Sequence, residues 1–549
     1  GHGAGYSGRP LLHRQVRPPA MPPTAPGDDF DSFRHTPAWL LVFFSNMFFG
    51  CTGFSIVLPT VWPYLREMGC TTTFLAWVVA MYSVGEGVGG WLVGQVYSKF
   101  PGHPKLLLQG GMVLGFLASL LYTLAPIFGT SAAPIVVLLT RFLSGFDNGG
   151  RQTIEQTFIG TIVPPKHQTT ISSRLASFAV TGIMLGPAFG APLQAVHFDL
   201  PGIGLHVDGN NGPGLVLCLV CALNIVITYF LFDPQALQQQ ASAANGGQGK
   251  AEIEAVDDQP PPRRRGLAIC YLIFFTVNLG MASLETITPV VAQRLFGWGP
   301  CLDPTNCPFQ LQQTYVNLLL TVGGILSLTM SVFMSCCLGA KIFGREAATV
   351  SCGLLISVWT NADNIDWGGF LPAWRFVANY CTGAFFGSLT RGPTVSMLTQ
   401  IIGPHPKASY MGILFAVGAI PRVIGPFLLV IFLDLPAPLR GADYPHVYRG
   451  PVSRTWLLYG AQAMLYGLTL LLVRCNRKEL LPHPALRQHW EREAPLLSAE
   501  PRSRASSLES ECPWLPATPS AVHEGLVDIM PAMRSLSMES IGSSPRRVA

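Results

Sequence analysis

IVPPKHQTTISSRLASFAVTGIMLGP, from Ile162 to Pro187, and IIGPHPKASYMGILFAVGAIPRVIGP, from Ile401 to Pro426, share one plan: a basic proline turn, an apolar span, then Gly-Pro. The correspondence extends outward. Ser144-Gly145-Phe146-Asp147-Asn148-Gly149 lines up with Thr382-Gly383-Ala384-Phe385-Phe386-Gly387, and Gly94 to Gly102 corresponds loosely to Gly339 to Gly344. The chain therefore reads as two copies of one unit in the same orientation, the plan of a transporter whose site lies between the copies near the bilayer midplane.

Composition places that unit in lipid. Of 549 residues, 49% are hydrophobic and only 12% are charged, against roughly 25% charged in soluble domains. That balance excludes a nucleic-acid binder, a secreted disulfide scaffold and a cytosolic enzyme. A net charge of +5 is too small to mark a polyanionic partner. Apolar runs of about 20 residues, enough to cross a ~30 Å hydrocarbon core, recur near 38–62, 74–97, 105–125, 134–160, 171–195 and 214–232, and again near 266–293, 312–338, 346–360, 374–398, 408–433 and 455–473. The expected fold is an all-α membrane protein of twelve transmembrane helices in two pseudo-symmetric six-helix bundles. Its parts are a disordered N-terminus (1–37), a first bundle (38–232), a linker (233–265), a second bundle (266–474) and a disordered tail (475–549). The residues before Trp39 are polar and proline-rich, unlike a cleavable signal, and Met21 stands as a natural start.

Lys99, Lys105, Lys166, Arg263 to Arg265, Lys341, Arg345, Lys407, Arg474, Arg477 and Lys478 all fall on one side of these spans. The positive-inside rule makes that side cytosolic and puts both termini there. Arg440 and Arg449, in the loop before the last span, are the main exceptions.

Arg141-Phe-Leu-Ser-Gly145 resembles the RxxxG motif of the major facilitator superfamily, and Gly182-Ile-Met-Leu-Gly186-Pro187-Ala-Phe-Gly190 resembles its GxxxGPxxG antiporter motif. The turn Gly94 to Lys105 is similar to a degraded GxxxDRxGRR loop in which Ser98 replaces the acid and Lys99 the arginine. GFSIVLPTVWPYL (Gly53 to Leu65), WVVAMYSVGE (Trp77 to Glu86), ETITP (Glu285 to Pro289) and IIGPHPKASYMG (Ile401 to Gly412) resemble the neuronal ceroid lipofuscinosis type 7 family within it. The resemblance implies a polytopic lysosomal or late endosomal protein, with anion or chloride conduction among the proposed activities. It also implies that spans three, six, nine and twelve face lipid, which fits their lack of interior charge. N-glycosylation would be expected too, yet the chain holds no N-x-S/T sequence.

Ionisable residues inside a span are costly and usually face a cavity or a partner. Those here are Glu86 in span two, Arg141, Asp147, Arg151 and Glu155 in four, Glu285 in seven, Arg375 and Arg391 near the ends of ten, and Arg422 in eleven. At 3.6 residues per turn, Arg141, Asn148 and Glu155 fall within about 40° on one face, a stripe that can line an aqueous path. Arg141 there would draw in an anion, with Asp147 and Glu155 as exchangeable acids; a satisfied packing network is the other reading. Arg151 and Glu155 are spaced to pair. Glu86 is either a proton carrier or the fixed partner of a base such as Arg141. Glu285 has the same two readings, with Arg422 as its partner. The glycines of span five, with Pro187, and Gly425-Pro426 in span eleven read as close-packing and bending elements. Gly94, Ser98, Lys99 and Gly145 belong with them. Cys301 and Cys307 are spaced for a lumenal disulfide, with free thiols as the alternative. No cofactor, metal site or nucleotide-binding loop is legible, so an enzyme is not expected. The expected partners are the lipid bilayer, a small-molecule or ion substrate, and protons, with no nucleic acid. The reading is a secondary transporter of a small anionic solute; a chloride conductor on the same fold and a non-transporting scaffold are the alternatives.

Overall fold

The computed structural model describes residues 36–190, 193, 197–200, 205–235, 261–283, 288, 292, 296, 309–365, 371–403, 405–433 and 455–483. Glu285, Cys301, Cys307, most of the linker and nearly all of both terminal segments lie outside the described residues. The first half comprises α1 (Ala38–Glu67), α2 (Thr72–Lys99), α3 (Pro104–Leu124), α4 (Gly129–Ile162), α5 (Pro165–Gly190) and α6 (Gly212–Leu231). The second comprises α7 (Arg264–Ala282), α8 (Phe309–Phe333), α9 (Glu346–Asp363), α10 (Ala373–Ile402), α11 (Ala408–Leu433) and α12 (Thr455–Cys475). These twelve helices match the expected spans. By length and hydropathy alone, seven stretches among the described residues qualify as membrane-crossing, one of them covering both α3 and α4. The helices left out are α2, α5, α9 and α10, whose glycines, hydroxyls and charges lower their hydropathy; three of these, α2, α5 and α10, carry contacts between the halves. One element was not foreseen: a short antiparallel hairpin of β1 (Phe198–Leu200) and β2 (Leu205–Val207), with His206 Nδ1 2.7 Å from Asp199 Oδ1.

Within the first half, α2 and α4 meet glycine to backbone. Gly85 and Gly89 lie against the main chain of Phe142 and Phe146, while Gly145 and Gly149 lie against that of Tyr82 and Glu86. A Cβ added to Gly149 would come within 2.9 Å of Glu86 Cα, so only a hydrogen side chain permits this separation. The span-five glycines pack on α1: Gly182 against Phe48 and Thr52, Gly186 against Ser55 and Ile56, Gly190 against Ile56. Thr52 Oγ1 and Ser55 Oγ both donate to the Gly182 carbonyl, at 3.3 and 3.2 Å. Pro187 and Pro426 lie within α5 and α11, their side chains outside the described residues, and Gly425 is buried. On the outside, α3 packs on α6 and α9 on α12. Leu219, Tyr229 and Phe230 of α6 and Met464 and Leu471 of α12 are exposed, as lipid-facing helices require.

The halves are clamped together along the base-rich end. On one flank Gly87, Gly90 and Gly94 of α2 meet Ala419, Phe415 and Gly412 of α11. At the end of that crossing Ser98 Oγ and Ser409 Oγ share a 2.7 Å hydrogen bond, so the serine standing where the motif has an acid makes a neutral contact; Lys99 beside it ends α2 exposed. On the other flank Thr169 Oγ1 donates to Ser396 Oγ at 2.8 Å, Thr399 Oγ1 to Gln168 Oε1 at 2.5 Å, and Arg174 Nε to Ser335 Oγ at 2.9 Å. Ser335 sits in a π-helical turn, Met334–Leu338, that ends α8. Glu346 at the start of α9 accepts from Gln400 Nε2 at 2.7 Å. Lys407, in the turn before α11, lays its aliphatic chain near Gly160 of the opposite half, and burial lowers its ammonium pKa from 10.5 to about 8.

Two outcomes are expected. Gly149→Ala should destroy the α2–α4 contact and remove folded, detergent-stable protein, whereas Gly387→Ala, at a position where a Cβ meets nothing within 4 Å, should leave the melting temperature unchanged or raise stability by about 0.5–1 kcal/mol; equal effects would refute the glycine contact. For Lys407 the folded pKa lies below the unfolded one, so the unfolded state binds more protons between pH 8 and 10.5 and stability rises with pH across that window. Lys407→Met should therefore be more stable than the parent at pH 7, with the advantage narrowing toward pH 10 in thermal melts.

Candidate functional site at the junction of the halves

Where α2 meets α11, halfway along both helices, the backbones are close enough for short polar reach. Glu86, 4% exposed, uses that proximity. Its Oε2 is 3.0 Å from Arg422 Nη1 of α11, and its Oε1 accepts from Gln152 Nε2 at 3.1 Å and Asn148 Nδ2 at 3.4 Å, both from α4. The partner of Glu86 is thus Arg422, not Arg141, so Arg422 reaches across to the other half; its expected pairing with Glu285 falls outside the described residues. The reason is the order of helices in space: the glycine face of α2 admits α11, which no local spacing reveals. Two charges taken out of water are costly unless paired and hydrogen-bonded, and here the carboxylate holds three donors.

Beside this pair a narrow cavity lies between the halves, with room for about one water. Its lining includes Met47 of α1, Gln152 and Gln156 of α4, Ser172 and Ala176 of α5, Arg391 of α10 and Phe415 of α11. Both halves line it: Gln152 and Gln156 supply amides from the first, and Arg391 supplies a guanidinium from the second. Arg391 was placed near a helix end by the sequence reading; α10 continues to Ile402 and sets it at the centre. Pro393, two residues on, has no N–H for the Leu389 carbonyl, and the Thr390 and Thr394 hydroxyls bond instead to the carbonyls of Gly387 and Thr390, each at 2.6 Å.

The stripe of Arg141, Asn148 and Glu155 exists but faces largely into its own half. Arg141, 3% exposed, lies over the rings of Tyr82 and Phe54 at 4.7 and 5.8 Å, outside the cavity lining. Asn148 Oδ1 fills the space left by the missing side chain of Gly50. Glu155, 1% exposed, lies beside Asn46 of α1, and its Oε1 has no hydrogen-bond partner among the described residues. Asp147 points at α3, where Cβ atoms at Gly111 and Gly115 would come within 2.9 and 2.6 Å of its carboxylate oxygens. Arg151 pairs with that carboxylate at 2.9 Å, rather than with Glu155. Both pairings have the same i,i+4 spacing; the gap left by two α3 glycines selects Asp147. The residues the sequence reading missed are Gln152 and Gln156, while Arg391 was named without a role. Gln152 and Gln156 lie one and two turns beyond Asn148 on α4, where helical spacing would have found them.

A comparison with protein families matches the Major Facilitator Superfamily model to residues 38–428. Major facilitator superfamily domain-containing protein 8 of Xenopus laevis is 24% identical over 451 residues, covering 72% of this chain and 85% of the relative. Multidrug resistance protein 2 of Bacillus subtilis is 18% identical over 438 residues, covering 80% and 95%. Among solved structures, the proton:xylose symporter XylE bound to 6-bromo-6-deoxy-D-glucose aligns with a TM-score of 0.61 at 15% identity, over 82% of this chain and 98% of its own. The human organic anion transporter MFSD10 (TETRAN) aligns with a TM-score of 0.55 at 16% identity, over 79% and 99%. With two repeated six-helix halves, a polar cavity between them and a family match over most of its length, this chain belongs to the Major Facilitator Superfamily of membrane transporters.

Proposed function

We propose that the chain is a secondary transporter that moves a small anionic solute across an endolysosomal membrane by alternating access, coupled to protons through Glu86, with the base-rich end in the cytosol. The observation that carries this reading is Arg391, a guanidinium that lines the cavity between the halves together with the amide of Gln152. A guanidinium presents a planar fork matched to a carboxylate or other oxyanion, and a low-dielectric cavity strengthens that attraction. The endolysosomal placement rests on the family resemblance and the sidedness on the loop charges.

The geometry also supplies a coupling step. The clamp along the base-rich end must open for solute to leave on that side, and parting α2 from α11 separates Glu86 from Arg422. A carboxylate left alone at mid-membrane is expensive; a proton on Glu86 removes that cost, and an anion beside Arg422 or Arg391 offsets the charge on the other half. Protons from an acid lumen would thus favour opening toward the cytosol.

In cells lacking the protein, untargeted metabolite profiling of isolated endolysosomes should reveal an accumulated anion that wild-type protein clears. Arg391→Gln, at equal membrane abundance, should clear it about 10- to 100-fold more slowly, since a hydrogen bond to a charged group contributes ~1.5–3 kcal/mol; full clearance would remove Arg391 from the site. Glu86→Gln should keep solute–solute exchange at constant pH but lose acceleration by a proton gradient, and retention of that acceleration would remove Glu86 from the coupling step.

A further inference from the structure

Resting on the anion-transport reading, we infer that the solute is an organic anion that also carries a hydrogen-bond donor, a hydroxyl or ammonium group, and that Gln152 recognises this donor while Arg391 holds the anionic group. Gln152 is 3% exposed, and the orientation of its amide is set from one side. Its Nε2 donates to Glu86 Oε1 at 3.1 Å, and this carboxylate, whose other oxygen is paired with Arg422, takes a donor, not the amide oxygen. The amide oxygen is therefore the end left over in a residue that lines the cavity, and Oε1 has no hydrogen-bond partner among the described residues.

A buried amide oxygen needs a donor. A halide has only electron pairs to offer: it would be drawn to the Arg391 guanidinium and leave Gln152 Oε1 facing a negative charge. A simple carboxylate does no better. A 2-hydroxy or 2-amino carboxylate brings both groups within one small molecule, the oxyanion for the guanidinium and the O–H or N–H for the amide. Gln152 cannot turn its nitrogen to the solute without withdrawing a donor from Glu86. Solute donor, Gln152, Glu86 and Arg422 then form one continuous chain of hydrogen bonds from the cavity to the ion pair that joins the halves, in which each bond polarises the next.

Matched anions test this with the purified full-length chain in lipid nanodiscs, by calorimetric affinities for glycolate against acetate, lactate against propionate, and chloride. In the wild type the hydroxylated member of each pair should bind about 10- to 100-fold more tightly, as expected where a polar site rejects an analogue that leaves its group unpaired. In Gln152→Met, which keeps the volume and loses the oxygen, the ratio should fall to about 1, and in Arg391→Gln both members should weaken together. Equal affinities within the pairs, or chloride displacing lactate at equal concentration, overturns the inference, and this comparison needs only wild-type protein. If the pairs bind equally and Arg391→Gln weakens both, the anion reading stands and only the donor is withdrawn. If no anion binds, or Arg391→Gln leaves binding unchanged, the anion reading falls and the inference with it.

Discussion

The close crossing of α2 with two neighbours at once is the constraint on which the rest depends. One glycine face, Gly85 and Gly89, lets α4 approach to backbone contact; another, Gly87, Gly90 and Gly94, admits α11 from the opposite half. No other residue leaves the space. Because α4 and α11 are both held against α2, Glu86 can reach Gln152 and Arg422 together, and the cavity forms beside that meeting point. One face of α2 is thus held within its own half, and the other meets the opposite half.

The contacts between the halves fall into two chemical kinds, and the difference has consequences. At the base-rich end they are hydroxyl and amide bonds, among them Ser98 with Ser409, Thr169 with Ser396, and Thr399 with Gln168, each modest in net free energy because water competes equally well for the same groups. Halfway along the helices they include an ion pair, Glu86 with Arg422, whose separation is costly unless a charge is neutralised. Solvent can therefore take over the outer contacts at little cost, while the central pair is the more costly contact to part.

The internal repeat produces a symmetric frame with asymmetric contents. Gln152 and Ala176 of the first half and Arg391 and Phe415 of the second all line the cavity, so the side chains divide the work between the halves. The same division holds for packing. Gly145 and Gly149 of α4 press against α2, while Gly387, the aligned counterpart of Gly149 in α10, meets nothing within 4 Å. One half uses its glycines to pack a helix; the other contributes the guanidinium of the cavity lining.

Helix number, the repeat, the base-rich side and the sparing of charge from α3, α6, α9 and α12 were all legible in the chain, because each is set by hydropathy over about 20 residues or by residues a fixed distance apart. The stripe on α4 was legible too, since helical periodicity puts Arg141, Asn148 and Glu155 on one face whatever surrounds the helix. Which neighbour that face meets was not. Asp147 rather than Glu155 pairs with Arg151 because two glycines of α3 happen to stand opposite it, and Arg422 rather than Arg141 pairs with Glu86 because α11, from more than 300 residues away in the chain, fills the groove on α2. Ladders within a helix follow from local spacing alone, whereas contacts between helices depend on how rods of similar hydropathy are ordered in three dimensions. Lipid gives such rods little reason to choose one another, so the choice is made by shape and by the few groups that must not be left unpaired.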